Sequence, residues 1–259
     1  MKSRSSWQLR TKELSFMTWI KICGITNLED AQTAVEAGAD AVGFVFYEKS
    51  PRNVEPETVR EIVRQLPAHI EKVGVFVGNN PKNFLELVHG LGLTGSQLHF
   101  GPHVGSVNET TGYDLECFPP GFKHYLSMPA EWFIESDGAK SFISSATRAA
   151  EMMRSHAGGD KLVSFFQTIF LDSGSLQQPG GTGTVFDWQK AAPIVEQMKQ
   201  VVRVVVAGGL NPTNVSEAIQ ILKPWGVDVS SGVEAKPGKK DPEKIRAFVA
   251  AVRQAERLA

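Results

Sequence analysis

Trp19-Ile20-Lys21-Ile22-Cys23-Gly24-Ile25-Thr26-Asn27 is the stretch whose reading decides the fold class. With a strand's period of two, Ile20 and Ile22 point to one side, and Lys21 and Cys23 to the other. Gly24 breaks the strand, and Thr26 or Asn27 caps a helix opening on Leu28-Glu29-Asp30. One face is therefore built to pack under helices. The other carries a cation and a thiol together at the strand's C-terminal end. A free thiol titrates near ~8.5 and an adjacent lysine favours its thiolate, so Cys23 is a candidate base or nucleophile near neutrality. The competing reading makes Cys23 a small buried residue and Lys21 a solvated one.

Outward from this stretch the same pattern recurs: a short apolar strand, a Gly- or Asn-containing turn, then an amphipathic helix. Gly38 stops the helix Leu28–Ala37, and the strand Asp40–Phe46 follows at once. Further strands are predicted over Lys72–Val77, Gly95–His99, Tyr125–Met128, Phe165–Asp172, Val202–Ala207 and Val227–Val229. Between them lie helices over Pro56–Leu66, Pro81–Gly90, Phe142–His156, Asp187–Lys199, Pro212–Leu222 and Pro242–Arg257. Eight strand–helix units predict an α/β fold, a (β/α)8 barrel spanning 17–259 as one catalytic domain, rather than an open doubly wound sheet. No GxGxxG turn follows the first strand. Polar residues instead recur where strands end, at Cys23, Gln97, His99, Asp172 and Asp228, and a barrel gathers those ends at one mouth.

Composition narrows the partners. The 259 residues carry a formal net charge of −1, which gives no reason to expect nucleic acid or an anionic membrane as a partner. No apolar run has the length of a membrane span. Cys23 and Cys117 are the two cysteines, far apart and outside any CxxC motif, so a reduced, cytoplasmic setting is expected. No His, Asp and Glu cluster has metal-ligand spacing, and no metal is expected. Residues 1–16 are basic and unpatterned, without the apolar core of a secretory signal, and read as a disordered N-terminal extension or a start placed too early.

Candidate chemistry sits at the strand ends. Asp172, closing the sixth strand, becomes a general acid if burial raises its pKa; otherwise it is a turn cap for Ser173-Gly174. Ala207-Gly208-Gly209-Leu210 and Ser230-Ser231-Gly232-Val233-Glu234 follow the last two strands, the second as the start of a short extra helix, and their small residues let backbone amides approach a phosphate closely. Gly181 belongs to a Gly-rich loop that serves as a second cradle, a lid or a plain flexible loop. Arg52, after the second strand, is either a solvated surface residue or a planar fork for a carboxylate. Gln97 and His99 share one face and line the interior, and Trp132 and Trp188 read as packing residues.

Taken together, Lys21-Ile22-Cys23-Gly24-Ile25-Thr26, Ser50-Pro51-Arg52, Gln97-Leu98-His99, Leu171-Asp172-Ser173, Gly180-Gly181-Thr182-Gly183, Phe186-Asp187-Trp188, Ala207-Gly208-Gly209-Leu210 and the run Val227–Glu234 closely resemble phosphoribosylanthranilate isomerase of tryptophan biosynthesis. The resemblance runs in order from about Trp19 to Arg253. It implies an Amadori rearrangement of N-(5-phosphoribosyl)anthranilate to 1-(o-carboxyphenylamino)-1-deoxyribulose 5-phosphate, with no cofactor, by a monomer or homodimer. By the same resemblance Asp172 is the general acid that opens the ring and Cys23 the general base at C2. Arg52 holds the anthranilate carboxylate, and Gly208, Gly209, Ser231 and Gly232 the phosphate. Lys21, Gln97, His99, Gly181 and Asp228 complete the mouth. The chain departs from the family at Phe100-Gly101-Pro102, where a glycine and an acid are usual, and in a longer stretch before the sixth strand. The related isomerase of histidine biosynthesis carries an aspartate where this chain has Cys23. A non-catalytic binder of phosphoribosyl ligands has no need of Cys23, Asp172 and Arg52 together.

Overall fold

The computed structural model describes residues 17–77, 84–99, 118–135, 144, 167–174 and 183–258. The expected extension over 1–16, Gly181, Cys117 and nearly all of the expected helix over 142–156 lie outside them. The strands are β1 Trp19–Cys23, β2 Ala41–Phe46, β3 Glu71–Val77, β4 Gly95–His99, β5 Lys123–Pro129, β6 Thr168–Asp172, β7 Arg203–Val206 and β8 Gly226–Val229. The helices are α1 Leu28–Ala37, α2 Pro56–Val63, α3 Phe84–Leu91, α4 Ala130–Glu135, α5 Trp188–Met198, α6 Val215–Leu222 and α7 Pro242–Glu256. All eight strands run parallel in sequence order, and β8 pairs back onto β1 to close the barrel.

Local chemistry accounts for the elements. The Asn27 side chain accepts from the Asp30 amide at 2.9 Å and starts α1, and Gly38 at φ 98° ends it. Asp241 caps α7 through the amides of Glu243 and Lys244, with Pro242 in the first turn. Alternation then sorts the strand side chains. Ile20, Ile22, Val42, Phe44, Ile169, Leu171, Val204 and Val227 belong to the core beneath the helices, with the buried Trp188. Trp19, Ala41, Val73, Tyr125, Phe170 and Val205 fill the barrel itself. Trp132, by contrast, is exposed.

Strand register stacks the inward side chains in layers of four from alternate strands. Because each strand pair is offset by the tilt of the barrel, stepping one residue up per strand traces a level. Lys21, Val73, Tyr125 and Val205 share one layer; Gly43, Gln97, Phe170 and Asp228 share the next. Above them come Cys23, Val75, Ser127 and Ala207, and then Val45, His99, Asp172 and Ser230 at the mouth. β6 is thus three strands from β1 going round through β8 and β7. The strand directly opposite Cys23 is β5. After β8 comes a single 3-10 turn, Ser231–Val233, and a short hairpin of β9 Glu234–Lys236 and β10 Lys239–Lys240, which the sequence pattern did not reveal.

Candidate active site

Cys23 lies 7% exposed at the end of β1, and Lys21 beneath it is fully buried. The solvated reading of Lys21 therefore fails. Its Nζ donates to Asp228 Oδ1 on β8 at 2.8 Å and stands 5.4 Å from the centroid of Phe170. Burial alone would lower the Lys21 pKa, but Asp228 and Cys23 together outweigh it and the ammonium is stabilised. The same burial pushes the Cys23 thiol up, and the charge of Lys21 offsets this only in part. Lys21 does favour the thiolate as expected, but burial outweighs it, Asp228 adds to the rise, and the thiol form is favoured.

Asp172, at the end of β6, is 8% exposed. Burial raises its pKa against the opposing pull of the Gly174 amide, which donates to Oδ1 at 2.7 Å. Both readings of this residue meet here, since the turn cap and the raised carboxyl coexist. Gln97 and His99 lie side by side on β4, with Nε2 atoms 3.1 Å apart. Burial holds the His99 pKa down at about 4, so the imidazole is neutral at pH 7 and accepts from the Gln97 amide.

Arg52 is not a surface residue: its side chain is 12% exposed. Gly24, at φ 76°, allows this, because a Cβ there would lie 2.6 Å from Arg52 Cδ. The guanidinium donates from Nε and Nη2 to the two oxygens of Glu234, each at 2.8 Å. Glu234 also accepts from the fully buried Lys240 Nζ at 2.9 Å. Burial would raise the carboxyl of Glu234, but Arg52 and Lys240 together hold its pKa below the usual value. Glu234 and Lys240 were missed as site residues because their hairpin was not foreseen. The acid closing the run Val227–Glu234 was the available signal.

The glycines after β7 and β8 answer to packing. A Cβ on Gly208 would overlap Ser173, one on Gly209 the Thr184 carbonyl, and one on Gly232 the Leu210 carbonyl oxygen. The loops following β6, β7 and β8 therefore interlock, with Ser231 at the start of the 3-10 turn beside them. Four buried side-chain atoms lack a hydrogen-bond partner among the described residues: Gln97 Oε1, Ser127 Oγ, Ser230 Oγ and Trp188 Nε1. Ser127 and Ser230 lie in the upper barrel layers with Cys23 and Asp172, and Gln97 in the layer just beneath. Among the described residues no three His, Cys, Asp or Glu side chains converge as metal ligands, and no helix is long and apolar enough to cross a membrane.

Comparison with known proteins agrees with this geometry. The family profile described as N-(5'phosphoribosyl)anthranilate (PRA) isomerase matches residues 20–111 and 145–251. The N-(5'-phosphoribosyl)anthranilate isomerase of Citrifermentans bemidjiense is 42% identical over 235 residues, 90% of this chain and 96% of the relative. That of Chlorobaculum parvum is 37% identical over 245 residues, 93% and 98% of the two chains. Among solved structures, the Thermotoga maritima phosphoribosyl anthranilate isomerase superposes with a TM-score of 0.67 at 34% identity, covering 92% of this chain and all of that one. A phosphoribosyl anthranilate isomerase in complex with reduced 1-(o-carboxyphenylamino)-1-deoxyribulose 5-phosphate gives 0.65 at 34% identity and the same 92% coverage of this chain. With a closed eight-stranded barrel, a thiol and a carboxyl at its mouth, and relatives matching over most of their length, the chain belongs to the N-(5'-phosphoribosyl)anthranilate isomerase family.

Proposed function

We propose that Cys23 and Asp172 carry out the proton transfers of this family's reaction in the upper layers of the barrel. The chain is an isomerase of tryptophan biosynthesis, converting N-(5-phosphoribosyl)anthranilate to 1-(o-carboxyphenylamino)-1-deoxyribulose 5-phosphate. Asp172 gives its proton to the ring oxygen; the C1–O bond breaks and the nitrogen lone pair forms a cationic imine. Cys23 then takes the C2 proton, the C–H pair becomes the C1=C2 bond, and the imine electrons return to nitrogen. The enolamine tautomerises to the ketone. The observation that carries this reading is the placement of Cys23 and Asp172 in adjacent inward layers, with burial raising the Asp172 carboxyl toward the protonated form an acid needs. Burial leaves Cys23 as thiol, and the imine cation formed in the first step supplies the charge that favours its thiolate.

The substrate's remaining groups find matching chemistry. Arg52 spends Nε and one Nη2 hydrogen on Glu234, which leaves the Nη1–Nη2 edge to take the anthranilate carboxylate. Val45 and Val75 form an apolar wall next to Cys23 that suits the aromatic ring. The interlocked loops at Gly208, Gly209, Ser231 and Gly232 are the phosphate grip, in the place after strands seven and eight where such barrels bind phosphate. We place the enzyme in the cytoplasm, as a monomer or homodimer. The test is turnover of phosphoribosylanthranilate by the purified protein and by Asp172→Asn. The parent converts it, and the variant loses at least about a hundredfold in kcat, the low end for an absent general acid. Parent-like turnover by Asp172→Asn removes the assignment.

A further inference from the structure

Ser127 belongs to no catalytic motif of the chain, yet register puts it in Cys23's own layer on the strand directly across the barrel. Its Oγ is buried, with the residue 2% exposed, and has no hydrogen-bond partner among the described residues. One layer lower on the neighbouring β4, Gln97 is 1% exposed and gives its amide nitrogen up the strand to His99, the register partner of Ser127, which leaves Oε1 without a partner among the described residues. Native interiors rarely leave such atoms unpaired, because each one costs free energy that folding does not return. Two adjacent orphans, one an acceptor and one a hydroxyl that donates and accepts, describe the complement of a single ligand hydroxyl.

We propose that Ser127 and Gln97 grip the substrate's C2 hydroxyl, which accepts from Ser127 Oγ–H and donates to Gln97 Oε1. This rests on the reading that Cys23 removes the C2 proton. With that C–H bond aimed at β1, the other three substituents of the tetrahedral carbon point to the far wall. Only the hydroxyl among them is polar, and β5 is that wall. The grip holds C2 in one orientation over the thiol. Once the enolamine has formed, Gln97 accepts a hydrogen bond from the enol hydroxyl; as that proton is lost to solvent, the O–H pair becomes the C2=O bond and the C1=C2 pair takes up a proton at C1.

The experiment compares the parent with Ser127→Ala, measuring affinity for the reduced product and for a counterpart lacking the C2 hydroxyl. The variant loses no hydrogen bond to the described residues, so its melting midpoint is expected to stay level or rise. It binds the reduced product roughly tenfold more weakly, while the deoxy counterpart binds parent and variant within about twofold of each other. Equal affinity of the two proteins for the reduced product overturns the proposal, as does an equal loss for both ligands. Turnover by the parent is read separately. A parent that isomerises phosphoribosylanthranilate while Ser127→Ala binds both ligands unchanged defeats this inference alone.

Discussion

Arg52 illustrates what a single side chain reveals once its neighbours are known. From its place after β2 it reads most simply as a solvated surface charge, and its burial against Glu234 removes that reading. A guanidinium held flat by one carboxylate is pre-oriented for a second, and lysine cannot reproduce two parallel bonds on each side. Arg52→Lys is therefore expected to weaken ligands bearing the anthranilate carboxylate about tenfold or more, while ligands without it bind both proteins alike. Titration of both proteins with both ligand types checks this; equal affinities throughout return Arg52 to a structural role. The places of Cys23 and Asp172 at the barrel mouth were legible because each closes an apolar strand, although each alone reads as well as a buried residue or a turn cap. Their ionisation was legible only in part. Burial of Asp172 acts as anticipated, whereas the pull of Lys21 on the thiol is outweighed by burial, with Asp228, 207 residues from Lys21 in the chain, adding to the rise.

At the scale of elements, strand periodicity carried most of the information. β1, α1, β4 and β7 stand within a residue or two of where alternation, Asn27 and Gly38 place them, because each is decided by neighbours in sequence. The hairpin β9–β10 was illegible: its two short strands are held by contacts far along the chain, with the Lys240 amide and Lys239 Nζ on Asp30 and Glu234 on Arg52. The loop glycines were found but explained too simply. At Gly232 small size was taken to serve only the approach of a phosphate, yet a Cβ there overlaps the Leu210 carbonyl. Gly232→Ala must shift backbone in a packed loop, so it is expected to destabilise the fold by roughly 1–3 kcal/mol, the range for overpacking. Denaturant unfolding reads this directly. A variant as stable as the parent with weakened phosphate ligands would restore the simpler explanation.

For the whole molecule, closure of the sheet sets both function and pH response. Closure brings β8 to β1, so that Asp228 meets Lys21, and it makes β5 the wall facing Cys23. It also buries two histidines against their preference for charge. His99 is lowered to about 4, and His124, bonded to Ser96 Oγ at 3.2 Å, to about 3, both by burial. Each is neutral when folded, while the unfolded chain takes up protons near the ordinary 6.5. Their contribution to stability is complete above pH 6.5 and is lost progressively as pH falls toward the folded values. Unfolding free energy is thus expected to decline between pH 6.5 and 4, and His124→Asn to flatten that decline; an unchanged slope in the variant contradicts the assignment. The central claim is that the buried thiol of Cys23 removes the C2 proton. The most direct measurement is single-turnover conversion of phosphoribosylanthranilate by Cys23→Ser beside the parent, with affinity for the reduced product measured on both. The predicted result is a rate at least about a hundredfold lower with affinity preserved. Turnover within a few-fold of the parent would contradict it.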